Sequence, residues 1–145
     1  MTPATYPQYL AAFRHRDDET VLAFIQRDVE FITMGYIIEG HEGIREFYRF
    51  FHHHIREQIS LRTAVTASDR LYAEPVMRLA ALERVDQRAL DARARNRFTP
   101  APEGFTVDVD LFLHYDLKEG LSSQIKATTY LPHSGPARHD QEARS

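Results

Sequence analysis

The hydrophobic period of this chain changes at Ile55, and that change limits what the chain can fold into. The longest apolar pattern before it is helical. In GHEGIREFYRFFHHHI, from Gly40 to Ile55, the residues Ile44, Phe47, Tyr48, Phe51 and Ile55 share one face of a helix. After Ile55 the period is two: Ile59, Leu61, Thr63 and Val65 alternate with Ser60, Arg62, Ala64 and Thr66. Helices come first and strands with short connections follow. That order predicts an α+β fold: a cone-shaped, strongly curved, mostly antiparallel sheet packed by three helices from the N-terminal half. Phe47, Tyr48, Phe50 and Phe51 are too bulky for close helix–helix contact. They suit the inside of a curved sheet or the wall of a pocket, and such a cone has a mouth that admits a ligand.

The other segments support this order. Tyr6 to Arg14 reads as a first helix with Tyr9, Leu10 and Phe13 on one face. Asp17 and Asp18 are placed to cap a second helix running to Gln26 or Arg27. Asp28 to Met34 alternates, with Val29, Phe31 and Thr33 on one side. Gly35 breaks it, and Tyr36 to Glu39 completes a small hairpin. Leu71 to Val85 is a long strand with Leu71, Ala73, Met77, Leu79 and Ala81 on one face. Pro75 cannot donate to a ladder, which predicts a bulge or an edge. Residues 86–104 carry Arg88, Arg93, Arg95 and Arg97 and then Pro-Ala-Pro, a charged insertion that breaks both periods and reads as either an extended hairpin tip or an inserted flap, in both cases mobile. Phe105 to Tyr115 is the clearest strand, and Leu121 to Leu131 the last. From Pro132 no apolar pattern remains, so a single domain over residues 6–131 is expected, with a disordered tail at 132–145.

Composition removes several functions. The 145 residues contain no cysteine, which excludes disulfides, thiolate nucleophiles and cysteine-held zinc and fits a cytoplasmic protein. A formal net charge of −3 gives no pull toward nucleic acid or a membrane surface. No apolar run spans a bilayer. His52, His53 and His54 are consecutive, and consecutive helical side chains point about 100° apart, so three in a row cannot share one tetrahedral ion. No metal or other cofactor is expected.

The titratable residues of the Phe105–Tyr115 strand are the candidates for chemistry. Val107, Val109, Leu111 and Leu113 form one apolar face; Asp108, Asp110, Phe112 and His114 form the other. In one arrangement the polar set points into the cone near Tyr9 and Arg78, where Asp110 or His114 serves as an acid–base group. The apolar set then covers a homodimer interface on the convex face. In the other arrangement the apolar set meets the helices, and the polar set is outside in solvent.

This order and spacing resemble the nuclear transport factor 2-like superfamily, which includes ketosteroid isomerase, polyketide cyclases, scytalone dehydratase and limonene-epoxide hydrolase. YLAAFRHRDD at 9–18, FIQRDVEF at 24–31, GHEGIREFY at 40–48 and the final pair of strands carry the resemblance. It implies a cystatin-like α+β barrel. The ketosteroid isomerase pattern places its oxyanion tyrosine on Tyr9 and its protonated acid near Asp110. Its general base falls on Thr33, whose hydroxyl cannot do that work near neutral pH, so steroid isomerisation is not implied. The limonene-epoxide hydrolase pattern places an Arg–Asp pair on Arg84 and Asp86. Its water-positioning residues fall on Phe31 and Thr33, and its last Asp near Ala127.

The expectation is therefore a cofactor-independent acid–base enzyme of isomerase, cyclase, dehydratase or hydrolase type, with a small hydrophobic substrate and a homodimeric state. Asp110, His114 and Tyr9 are its candidate catalytic residues. Phe31, Met34, Phe47, Phe51, His54, Arg78 and Phe112 are its candidate substrate-binding residues. The other reading is a non-catalytic ligand-binding or dimerisation module of the same fold. It takes the lead if Asp110 projects to solvent and Val109 and Leu111 line the interior.

Overall fold

The structure is a computed structural model that describes residues 1–92 and 99–130, with Ala89 and Tyr130 described by their backbone alone. The expectations for Arg93, Arg95, Arg97, Leu131 and the tail at 132–145 lie outside the described residues. The elements run α1 (Tyr6–Arg14), α2 (Asp18–Ala23), β1 (Ile25–Thr33), β2 (Tyr36–Glu39), α3 (Gly40–His54), β3 (Ile55–Ala67), β4 (Arg70–Ala81), α4 (Gln87–Ala92), β5 (Thr106–Lys118) and β6 (Leu121–Tyr130). This is the α+β architecture that the change of period implies.

Local chemistry sets the boundaries. Pro7 near the start of α1 has no N–H to leave unpaired there. Asp17 caps α2 by accepting from the Thr20 N–H at 3.1 Å and the Thr20 hydroxyl at 2.6 Å. The second helix ends at Ala23, short of Gln26, and β1 begins at Ile25. Gly40 opens α3 with φ +69, and a Cβ there would sit 3.2 Å from the Arg27 carbonyl oxygen. His41 Nε2 lies 2.9 Å from the Ile25 carbonyl and ties the same end of α3 to β1. At its other end α3 passes into β3 without a loop, because Ile55 is already extended at φ −127 and ψ 131.

The six strands lie in the order β2-β1-β6-β5-β4-β3 in an open, mixed sheet. β1 and β6 pair in parallel, and the other neighbours pair antiparallel. The helices α1 to α3 lie on the concave face. The core there includes Tyr6, Leu10, Val29, Ile44, Phe47, Leu71, Val109, Leu111, Tyr115 and Ile125.

Two details correct the strand reading. The irregularity expected at Pro75 sits on the partner strand. Leu61 pairs with Pro75 and Thr63 with Glu74, so Arg62 is the extra residue of a bulge. Beyond it the alternation slips by one: Thr63 and Val65 turn outward and Ala64 inward. The charged insertion has folded flanks. Val85 and Ala101 exchange backbone hydrogen bonds, and Leu90 of α4 is buried at 1% exposure.

Candidate functional site

The inner residues of β5 are Val109, Leu111 and Tyr115, all buried against the helices, with Val107 and Leu113 packed beside them. The outer residues are Asp108, Asp110, Phe112 and His114. This is the second of the two arrangements open to the sequence. The physical reason is area: the aromatic helix needs an apolar partner, and the β5 set supplies the continuous one.

The convex face is therefore charged and paired. Arg62, the outward-facing residue at the bulge, meets Asp110 at 2.9 Å. Arg78 grips Asp108 through two parallel hydrogen bonds, of 2.7 and 2.8 Å. The Arg78 guanidinium holds the Asp108 carboxyl below its usual value. His114 Nε2 lies 3.1 Å from Asp116, and the His114 ring stacks on Tyr72. The expectation that Asp110 and His114 lie in the cone with Tyr9 is corrected: they sit on the other side of the sheet, together with Arg78 and Phe112.

The concave side holds a cavity with about 810 Å³ of atom-free space, its mouth included. Tyr9, Phe31, Met34, Phe47 and Phe51 line it, as the sequence suggests. Thr33 and Ala127 line it too, in the places where the family patterns put functional groups, but neither supplies an acid or a base. Arg84 and Asp86 are exposed and are not in its wall, which removes the epoxide-type pair from the cavity. His54 is not in the wall either; it turns to Glu83, with Nδ1 at 2.7 Å from the carboxylate.

Among the described residues, the carboxylate in the cavity wall is Glu57. It comes from β3, where Ile55, Glu57, Ile59 and Leu61 share the inward phase ahead of the bulge. Its side chain is 7% exposed and lies 2.5 Å from His52 Nε2, at the end of α3. The His52 ring is fixed by stacking on Tyr48 at 5.3 Å and by the edge-on ring of Phe13 at 6.0 Å. A buried carboxylate needs such a partner, because burial without one penalises the anion heavily.

Three tyrosines, Tyr9, Tyr48 and Tyr115, line the cavity with Glu57, and a fourth, Tyr6, packs against Tyr9 and Tyr115. The Tyr115 hydroxyl lies 2.9 Å from that of Tyr6. Burial pushes the Tyr9 hydroxyl up to about 12, and the negative charge of Glu57 adds to the rise. Burial raises Tyr6, Tyr48 and Tyr115 as well. Around neutral pH these hydroxyls keep their protons, so they can donate to an oxygen that gains charge nearby.

Sequence reasoning missed Glu57 and His52, though both carried a signal. Glu57 is in phase with Ile55, Ile59 and Leu61, and His52 stands four residues after Tyr48 on the apolar side of the helix. The density of acidic residues on β5 is the stronger signal in the sequence, and there the carboxylates are outside.

No protein-family model matches the chain, and no curated protein matches it by sequence. Solved structures do match. A protein from Pseudomonas putida KT2440, provisionally described as a polyketide cyclase, superposes with a TM-score of 0.74 at 19% identity, over 92% of this chain and 94% of the other. A nuclear transport factor 2-like protein of unknown function from Burkholderia pseudomallei K96243 gives 0.68 at 16%, over 90% and 92%. An LEH-like epoxide hydrolase from Mycobacterium tuberculosis gives 0.64 at 12%, over 88% and 81%. Likeness at these identities establishes the fold.

Proposed function

We propose that this chain, which has the nuclear transport factor 2-like fold, is a cofactor-independent acid–base enzyme for a small hydrophobic molecule, with Glu57 as its proton-transfer group. The observation that carries the reading is the Glu57 carboxylate, buried in the wall of an apolar cavity and hydrogen-bonded to His52. Phe31, Phe47 and Phe51 suit a flat, apolar substrate body. Glu57 takes a proton from a carbon next to a carbonyl, or from a hydroxyl, and returns it elsewhere on the same molecule. His52 orients the carboxylate through their hydrogen bond. Tyr9 and Tyr115 donate to the carbonyl oxygen as it gains charge. Isomerisation consists of these two transfers alone. In an aldol-type cyclisation the carbanion forms a carbon–carbon bond to a second carbonyl, whose alkoxide takes the proton, and in dehydration the proton goes to a hydroxyl that leaves as water. The neighbours described as polyketide cyclases fit this class.

The experiment works with surrogate substrates. A panel of aryl ketones is incubated with the protein in D₂O, and exchange of the protons next to the carbonyl is followed by proton NMR. Catalysed exchange is expected for ketones that bind, and Glu57→Gln should slow it by roughly 10²–10⁴-fold. Ketones that bind without exchanging, or that exchange equally fast with Glu57→Gln, would turn the reading to a ligand-binding module. That second reading has its own support, because the condition set for it is met: Asp110 and His114 are on the outer face, while Val109 and Leu111 face inward under a mostly apolar cavity. Glu57 in the cavity wall is the observation that keeps the enzyme reading ahead.

The partner for the convex face, on this reading, is a second copy of the chain. The apolar β5 set no longer motivates it, because that set faces the helices. Phe112 and Tyr72 do, since both are exposed amid ion pairs. Sedimentation at micromolar protein should show a dimer, and a monomer there overturns this partner. Among the described residues no helix is long and apolar enough to cross a membrane.

A further inference from the structure

The three histidines that end α3 separate. His52 turns inward to Glu57, while His53 and His54 turn to Glu83, in the segment that follows β4. We propose that His53, His54 and Glu83 bind a transition-metal ion of the zinc(II) or nickel(II) class, at a site separate from the cavity.

Three observations carry this. First, the donor atoms converge. His54 Nδ1 lies 2.7 Å and His53 Nε2 3.6 Å from the same Glu83 oxygen, and all three donors fall within 4.8 Å of one another. Tetrahedral zinc with bonds of ~2.0–2.2 Å holds its donors about 3.4 Å apart. An ion therefore enters after side-chain shifts of about an ångström.

Second, the backbone brings the carboxylate there. The Leu82 N–H donates to the His54 carbonyl at 2.9 Å, and Ile55 pairs with Ala81. Glu83 is thus held beside the end of α3 by the continuation of the β3–β4 ladder. The Phe50 ring packs against the His54 ring at 4.8 Å and limits its rotation.

Third, the charge is right. The site lies at the C-terminal end of a 15-residue helix, where the backbone carbonyls favour a cation. Two imidazoles and one carboxylate suit zinc, nickel or copper, whereas magnesium and calcium prefer oxygen ligands alone. His53 is 71% exposed, so water can complete the coordination sphere. The ion would fasten the end of α3, which carries Phe51 and His52, to the chain beyond β4. Binding therefore stabilises the fold.

The test uses the untagged full chain, stripped with a chelator and titrated with zinc chloride by calorimetry. A cobalt(II) titration reads tetrahedral coordination from the visible spectrum. Binding of one zinc per chain at roughly micromolar affinity is expected, with no response to magnesium and a melting temperature that rises with zinc. His53→Ala and Glu83→Gln should each weaken binding about tenfold or more. His15→Ala, which removes an exposed histidine elsewhere, should leave it unchanged. Both ligand variants alter partly exposed side chains, and matching circular dichroism spectra confirm that they fold. Absence of zinc binding by the wild-type chain at about 100 μM, far above the expected affinity, overturns the proposal. So does binding that survives both ligand variants.

Discussion

The two faces of β5 carry similar amounts of chemistry to opposite ends. On the convex side Asp108, Asp110 and Asp116 each meet an arginine, and the pairs remain largely in water. On the concave side Glu57, reaching in from β3, meets His52 in a wall of phenyl and phenol rings. In both places the partners are within hydrogen-bonding reach. What differs is the medium. Water screens an exposed pair until little coupling remains, whereas a buried pair keeps its coupling and responds to whatever enters the cavity. Counting acidic residues points to the convex face; asking which carboxylate has lost its water points to Glu57.

The largest test of this contrast is catalytic. Glu57→Gln should cost roughly 10²–10⁴-fold in any proton-transfer rate, and Asp110→Asn no more than about threefold, because one touches the cavity and the other touches solvent. Equal losses in steady-state assays of the two variants would remove the distinction between the faces.

Next in size is packing on the same strand. Leu111 is 7% exposed on the inside and its neighbour Phe112 is 48% exposed on the outside. Leu111→Ala should destabilise by about 2–5 kcal/mol, and Phe112→Ala by about 0.5 kcal/mol or less. Urea unfolding at protein concentrations low enough to keep the chain monomeric measures both. A loss at Phe112 that appears only as the protein concentration is raised would show that a second copy covers the outer face.

A smaller effect is expected at high pH. Tyr9 has its folded-state pKa raised to about 12, above the ordinary tyrosine value near 10. Its contribution to stability is present in full below pH 10 and is lost as the pH rises through 12. Tyr9→Phe should flatten that limb of the melting-temperature profile, and an unchanged limb would place its origin in the other buried tyrosines.

The smallest effect belongs to the convex pairs. Arg78 lowers the Asp108 pKa, so that pair stabilises above the unfolded value near 4 and is lost as the pH falls through the lower folded value. Arg78→Ala should remove a slight acid-side slope that fades in high salt. A slope that persists in molar salt would mean that the pair is less exposed than its geometry implies.

Much of the architecture was legible from residue order alone. The pattern from Ile44 to Ile55 marks α3, and the alternation of Val29, Phe31 and Thr33 marks the inner side of β1. Phe31, Met34, Phe47 and Phe51 were legible as cavity wall because large apolar side chains must leave water whatever the topology. Asp110 and His114 were misplaced because alternation separates two faces without saying which is inside. Phase was also lost at Arg62, since one extra residue in β3 reverses every side chain beyond it.

The sequence by itself determined the order of elements, the helical face of α3 and the division of β5 into an apolar and a polar side. Those follow from local periodicity, which every chain carries in its own residues. Only the tertiary structure decided the rest. It turned the apolar side of β5 toward the helices, because a continuous apolar face loses the most by staying in water. It brought Glu57 under His52 and Glu83 beside His53 and His54. Those last partners stand 29 residues or more apart in the chain, and the ladder between β3 and β4 is what brings them together.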